Sequence, residues 1–193
     1  MSTFVYMVRH GDSPKEAEER TRGLTPKGRL DADRLTEILI DEEIDAVASS
    51  PYTRSILTVS KIAEHIGQEV YVYEDLKERV FSSGDNRIPD KELVPLLEKS
   101  FSNTDFSMDG GESNAESQKR AIAVLNKLLD SFKDKKIVIG THGAIMTLMM
   151  GYFDSKYNLD FLYSTSKPDI YKLEFQGKQL VQVQRLWKIS GNN

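Results

Sequence analysis

Two of the three histidines, His10 and His142, occupy equivalent settings: each follows a short apolar run, Thr3–Val8 or Ile137–Thr141, and each immediately precedes a glycine, Gly11 or Gly143. A neutral imidazole attacks through one ring nitrogen when a hydrogen bond at the other fixes its tautomer. A glycine beside it lets backbone amides approach an anion with no side chain in the way. Arg9 precedes His10, and Arg54 lies just past Ser49, Ser50 and Pro51, so two guanidinium forks are available to grip one tetrahedral anion. Glu78, between Lys77 and Arg79, is a carboxyl that could hand a proton to a departing oxygen. These types suit phosphoryl transfer, which needs donors around the equatorial oxygens and a nucleophile in line with the leaving group.

Simpler readings compete. A lone histidine after a strand is more often a hydrogen-bonded structural residue, and it is the matched pair with its arginines that argues for chemistry. His65, near a helix end, is read as complementing the helix dipole and is assigned no role. Two histidines and a carboxylate could also bind zinc. Arg9 and Arg54 would repel a divalent ion and suit a phosphate, so no metal and no cofactor are expected. The chain has no cysteine, which excludes disulfides, thiolate metal sites and a cysteine nucleophile.

The Val8-Arg9-His10-Gly11 run resembles the signature of the histidine phosphatase superfamily, which includes the cofactor-dependent phosphoglycerate mutases. Further segments follow in that family's order. Leu24, Thr25 and Gly28 are similar to its Leu-Thr-x-x-Gly helix start, and Ser49, Ser50, Pro51, Arg54 and Thr58 to its Ser-Ser-Pro-x-x-Arg-x-x-x-Thr segment. Leu76 and Glu78 resemble its Leu-x-Glu, Gly111–Ser113 its Gly-Glu-Ser, and Thr141–Gly143 its second histidine motif. The resemblance implies a phosphoric monoester hydrolase of the histidine acid phosphatase type. His10 is its nucleophile and Glu78 its proton donor, with Arg9, Gly11, Arg54, His142 and Gly143 around the phosphoryl group. It implies a phosphohistidine intermediate and small phosphorylated molecules or phosphoproteins as substrates. The mutases continue after Arg-His-Gly with Glu, Ser and later Trp and Asn, where this chain has Asp12, Ser13 and Pro14, so a phosphatase is favoured over mutase-type transfer. A non-catalytic phospho-ligand binding module is the third reading, disfavoured because binding alone needs neither His10 nor Glu78.

The elements that must position these residues are legible in the periodicity. Thr3–Val8, Ala46–Ser50, Val70–Leu76 and Ile137–Thr141 read as strands. Helices are expected from the Thr25-Pro26 cap to Asp41, beyond Pro51 to Gly67, and from the Ser113/Glu116 capping box to Phe132, with an apolar one from Ala144 onward. Asp169–Phe175 and Gln179–Trp187 alternate around a Gln-Gly-Lys turn, as in a hairpin. The alternation predicts an α/β fold, a three-layer sandwich with a mostly parallel central sheet and helices on both faces. Ligands in such sheets gather at the carboxyl ends of the strands, which is where Arg9, His10, Arg54, Glu78 and His142 fall. One domain over residues 1–193 is expected, with a short cap-like insertion at about 79–111 that contains a helix from Asp90 to Lys99. Phe81, Phe101, Phe106 and Met108 in that region are left out of the site, and Glu16–Arg22 and Lys133–Lys136 are read as charged, solvated loops.

The formal net charge of -4 disfavours nucleic acid or an anionic membrane as partner, while a compact anionic substrate depends on local cations. The apolar start meets Arg9 too soon for a signal peptide, and no window approaches the length of a membrane span. A cytoplasmic protein acting on a phosphorylated small molecule is expected.

Overall fold

The computed structural model describes residues 1–189. A six-stranded sheet forms its centre, in the order β3-β2-β4-β1-β5-β6. The strands are β1 (Thr3–Arg9), β2 (Ala46–Ser49), β3 (Tyr71–Val72), β4 (Lys136–Thr141), β5 (Asp169–Gln176) and β6 (Gln179–Arg185). The first four run parallel, and the C-terminal hairpin adds two antiparallel strands beside β1. The helices are α1 (Pro26–Ile40), α2 (Thr53–His65), α3 (Asp90–Ser102), α4 (Asn114–Ser131), α5 (Gly143–Phe153) and α6 (Leu159–Ser164).

The layering follows from the strands being apolar on both faces. In β1, Val5 and Met7 pack with β4 residues Ile137 and Ile139 against α4 and α5. Their neighbours Tyr6 and Val8 pack with Val47 and Val138 against α1 and α2. Helix side chains such as Leu35, Leu39, Leu125 and Leu128 are fully buried in these two layers, each stabilising by roughly 1.5–3 kcal/mol. The helix starts form as the caps dictate. The Thr25 hydroxyl accepts from Gly28 N, and Ser113 and Glu116 make a reciprocal capping box. No helix among the described residues is long and apolar enough to cross a membrane.

Three elements differ from the sequence expectation. The strand expected over Val70–Leu76 pairs only at Tyr71–Val72, because its four-residue neighbour β2 ends at Ser49, and the chain then turns through a 3₁₀ segment at Glu74–Leu76. Helix α3 runs three residues past Lys99, to Ser102. Helix α6, capped by the Asn158 side chain, is too short to leave a periodic signal.

Candidate active site

The register of the two central strands brings the histidines together. Arg9 of β1 is paired with Thr141 of β4, and His10 N donates to the Thr141 carbonyl at 3.0 Å, so His10 and His142 leave adjacent parallel strands at the same level. Their rings lie 5.3 Å apart between centroids. Ser50 N similarly donates to the Gly140 carbonyl, which sets the turn into α2, and the buried Arg54 lies on the first turn of that helix.

At His10, Nδ1 lies 2.7 Å from the Gly11 carbonyl, which can only accept, so Nδ1 carries the proton and Nε2 the lone pair. Arg54 Nε donates to that Nε2 at 3.2 Å. Burial above all, then the Arg54 charge, hold the His10 pKa well below the usual value, with smaller contributions from Arg9 and Lys167. The ring is therefore neutral at neutral pH. His142 is fully buried and is also held neutral, by desolvation first and then by Arg54. Ser50 Oγ accepts from Tyr52 N and is hydrogen-bonded to His142 Nε2 at 2.7 Å, which fixes the orientation of the His142 ring. His142 Nδ1 and Arg9 Nε are buried with no hydrogen-bond partner among the described residues. Burying such groups unpaired is unfavourable unless another molecule completes them.

Glu78 follows the 3₁₀ turn. Its Oε1 accepts from Arg79 N and Ile145 N, each at 2.8 Å, and its Oε2 from Ala144 N at 3.1 Å, so the carboxylate closes the N-terminus of α5. The segment leading to it is pinned by Arg120 of α4, which donates to the carbonyls of Asp75, Lys77 and Glu78 and pairs with Glu112. Glu112 in turn accepts from Val80 N. The Gly-Glu-Ser segment thus acts as the anchor of the Glu78 loop.

Arg9, His10, Arg54 and Glu78 line one cavity of about 570 Å³. His142, Gly11 and Gly143 do not line it. The Gly11 amide donates to Thr58 Oγ1 at 3.0 Å, so the sequence expectation of a free anion-binding amide is replaced by an internal hydrogen bond. Gly143 serves Arg9: a Cβ at that position would lie 2.7 Å from the Arg9 guanidinium carbon.

The cavity also holds residues that sequence reasoning passed over. Glu19 and Arg22, assigned there to a solvated loop, face inward. Arg22 is buried and donates to Glu19 Oε1 through Nε and Nη2, while Arg54 Nη2 pairs with Glu19 Oε2 at 2.8 Å. Phe81 lines the wall, as do Arg87 and Lys167, whereas Phe101, Phe106 and Met108 do not. The loop of Glu19 is joined to the insertion by a Glu18–Asn86 bridge, by Glu19 N donating to the Asp85 carbonyl at 2.8 Å, and by a Lys15–Asp90 ion pair. The signal available in the sequence was a basic residue, Arg22, standing just ahead of the Leu24-Thr25 helix start.

The chain belongs to the histidine phosphatase superfamily, branch 1, whose family model matches residues 5–187. It is 29% identical over 195 residues to phosphoglycerate mutase-like protein 4 of Arabidopsis thaliana, covering 95% of this chain and 79% of that one. It is 26% identical to the uncharacterized phosphatase PhoE of Bacillus subtilis, over 77% of this chain and 76% of that protein. The fold is shared with a mycobacterial glucosyl-3-phosphoglycerate phosphatase, at a TM-score of 0.76 and 16% identity, covering 96% of this chain and 97% of that one.

Proposed function

We propose that the chain is a phosphomonoesterase that works through a phosphohistidine on His10. The observation that carries this reading is the tautomer of His10: Nδ1–H is held by the Gly11 carbonyl, and the Nε2 lone pair faces the Arg54 guanidinium inside the cavity. An incoming phosphoryl group replaces Nε2 as the acceptor of Arg54, and its oxygens complete Arg9 Nε. Nε2 attacks phosphorus, the P–O ester bond breaks, and the leaving oxygen takes a proton from Glu78. The proton that Glu78 passes on enters with the ester, which arrives as its monoanion and hands that proton to the carboxylate before the P–O bond breaks. Water then attacks the phosphohistidine and gives its proton to the Glu78 carboxylate. The P–N bond breaks, and neutral His10 and inorganic phosphate result. Membership of the superfamily and the phosphatase name of the Bacillus subtilis relative support the reading.

The test is hydrolysis of 4-nitrophenyl phosphate with a chelator present, together with rapid acid-free quench to trap phosphohistidine. Turnover that falls by roughly 10⁴-fold or more in His10→Ala supports the proposal. Undiminished turnover in that variant, or none in the wild type, overturns it.

A further inference from the structure

The cavity is larger than a phosphoryl group requires, and its charge is opposite in sign to that of the chain. The whole sequence carries a net -4, yet six cations line the cavity against three carboxylates. Arg9 and Arg54 flank His10. Arg79 is engaged inside the fold, donating to Asn114 Oδ1, Ser100 Oγ and the carbonyls of Val80 and Phe106. That leaves Arg22, Arg87 and Lys167. The carboxylates are all committed: Glu78 to backbone amides, Glu19 to Arg54 and Arg22, and Asp90 to Lys15 and Arg87.

Lys167 is the cation without a counter-ion. It forms no ion pair among the described residues. It is exposed on its outer side and is one of the residues lining the cavity, and burial first, then Arg9, Arg87 and Arg22, push its pKa down to about 8, with Asp90 the carboxylate acting the other way. Nor is it on a free loop. Thr165 accepts from Arg9 Nη1, Ser166 N donates to Asp169 Oδ2 at 3.0 Å, and the fully buried Asp169 is gripped by Arg185. A fixed cation crowded by like charges is unfavourable on its own and is resolved by an anionic ligand. The same cavity has an apolar portion of wall, from Phe81, Leu93, Leu97 and Leu162, as suits a short carbon linker.

We propose that Lys167, with Arg22 and Arg87, forms a second-anion subsite that selects small phosphomonoesters carrying a further carboxylate or phosphate. The proposal rests on the reading of the His10 cavity as a phosphatase site. The phosphate ester sits at His10, and the second anion pairs with the ammonium and draws Arg22 or Arg87 from its resident carboxylate.

Three substrates with one carbon skeleton test it: 3-hydroxypropyl phosphate, 3-phosphooxypropanoate and propane-1,3-diyl bisphosphate. The expected result is a kcat/KM roughly 10- to 100-fold higher for at least one doubly anionic compound than for the hydroxypropyl ester, the range of one charge-assisted hydrogen bond. The compound favoured tells carboxylate from phosphate. The preference ratio, which cancels any change common to all three, is expected to drop below about threefold in Lys167→Met and to be kept in Lys167→Arg. Equal kcat/KM for all three in the wild type, or an unchanged ratio in Lys167→Met, overturns the subsite. Calorimetric binding of the same compounds to His10→Ala separates the two proposals: a preference in binding without turnover in the wild type leaves the subsite standing and removes the phosphatase reading.

Discussion

His10 and His142 project from neighbouring parallel strands one residue beyond the paired Arg9 and Thr141, and their rings meet edge to face at 5.3 Å between centroids. Both are buried and held neutral, so the two rings lie together without mutual repulsion.

Gly143→Ala tests the packing of Arg9. The added methyl meets the far end of a flexible side chain, so the fold yields cheaply while the guanidinium shifts. A fall in kcat/KM for 4-nitrophenyl phosphate on the order of 10²-fold is expected, with Tm within about 4 °C of wild type. A variant that unfolds early but keeps full activity when folded would contradict this account.

Glu78→Gln keeps the shape but removes the transferable proton, and its amide can accept from the backbone through one oxygen only. Esters with poor alkyl leaving groups are expected to lose roughly 10²- to 10⁴-fold in kcat, and nitrophenyl esters much less. The measurement is kcat against leaving-group pKa. Equal losses across the series would assign Glu78 a purely structural part.

Arg120→Ala removes the anchor of residues 75–78 without touching the cavity wall. A loss of about 2 kcal/mol is expected in urea unfolding, because three carbonyls and Glu112 lose their donor. The same variant is expected to show a lower kcat with little change in KM for phosphate esters, since Glu78 loses its aim while Arg9 and Arg54 stay.

Stability should fall on acidification because of the histidine pair. Each has a folded-state pKa below its unfolded value of about 6.5, so the unfolded chain binds more protons between those values. Stability is therefore complete above about pH 6.5 and declines as pH falls below it. Thermal unfolding followed from pH 7.5 to 5 checks this. His142→Gln is expected to lose less over that range than the wild type, and an equal or steeper decline would place the acid sensitivity elsewhere.

The sheet and its two helical layers were legible because each strand and helix states its buried faces in its own periodicity, as Val5/Met7 and Tyr6/Val8 do. The ends of strands also named Arg9, His10, Arg54, Glu78 and His142 as neighbours, since parallel strands deliver their carboxyl ends to one edge. Contacts made across long sequence separations left no such trace. Arg120 looks like any exposed helix cation until α4 is laid beside the Glu78 loop, and Glu19, Arg22 and Lys167 read as loop charges until two loops and a strand lead-in converge. Gly11 and Gly143 stand in the sequence as freedom near an anion, whereas in the fold the close approach of the Gly28 backbone accounts for the first and the packing of Arg9 for the second.

The Glu18–Asn86 bridge and the Lys15–Asp90 ion pair have a further implication for how such a chain can change. The floor of the cavity is built from strand ends, and its walls come largely from two separate stretches that are stapled together, with Leu162, Thr165 and Lys167 from a third. An insertion or replacement in one stretch therefore has to be accommodated by the other. Chimeras that exchange both stretches with a relative should fold, while exchange of either one alone should leave a mismatched seam.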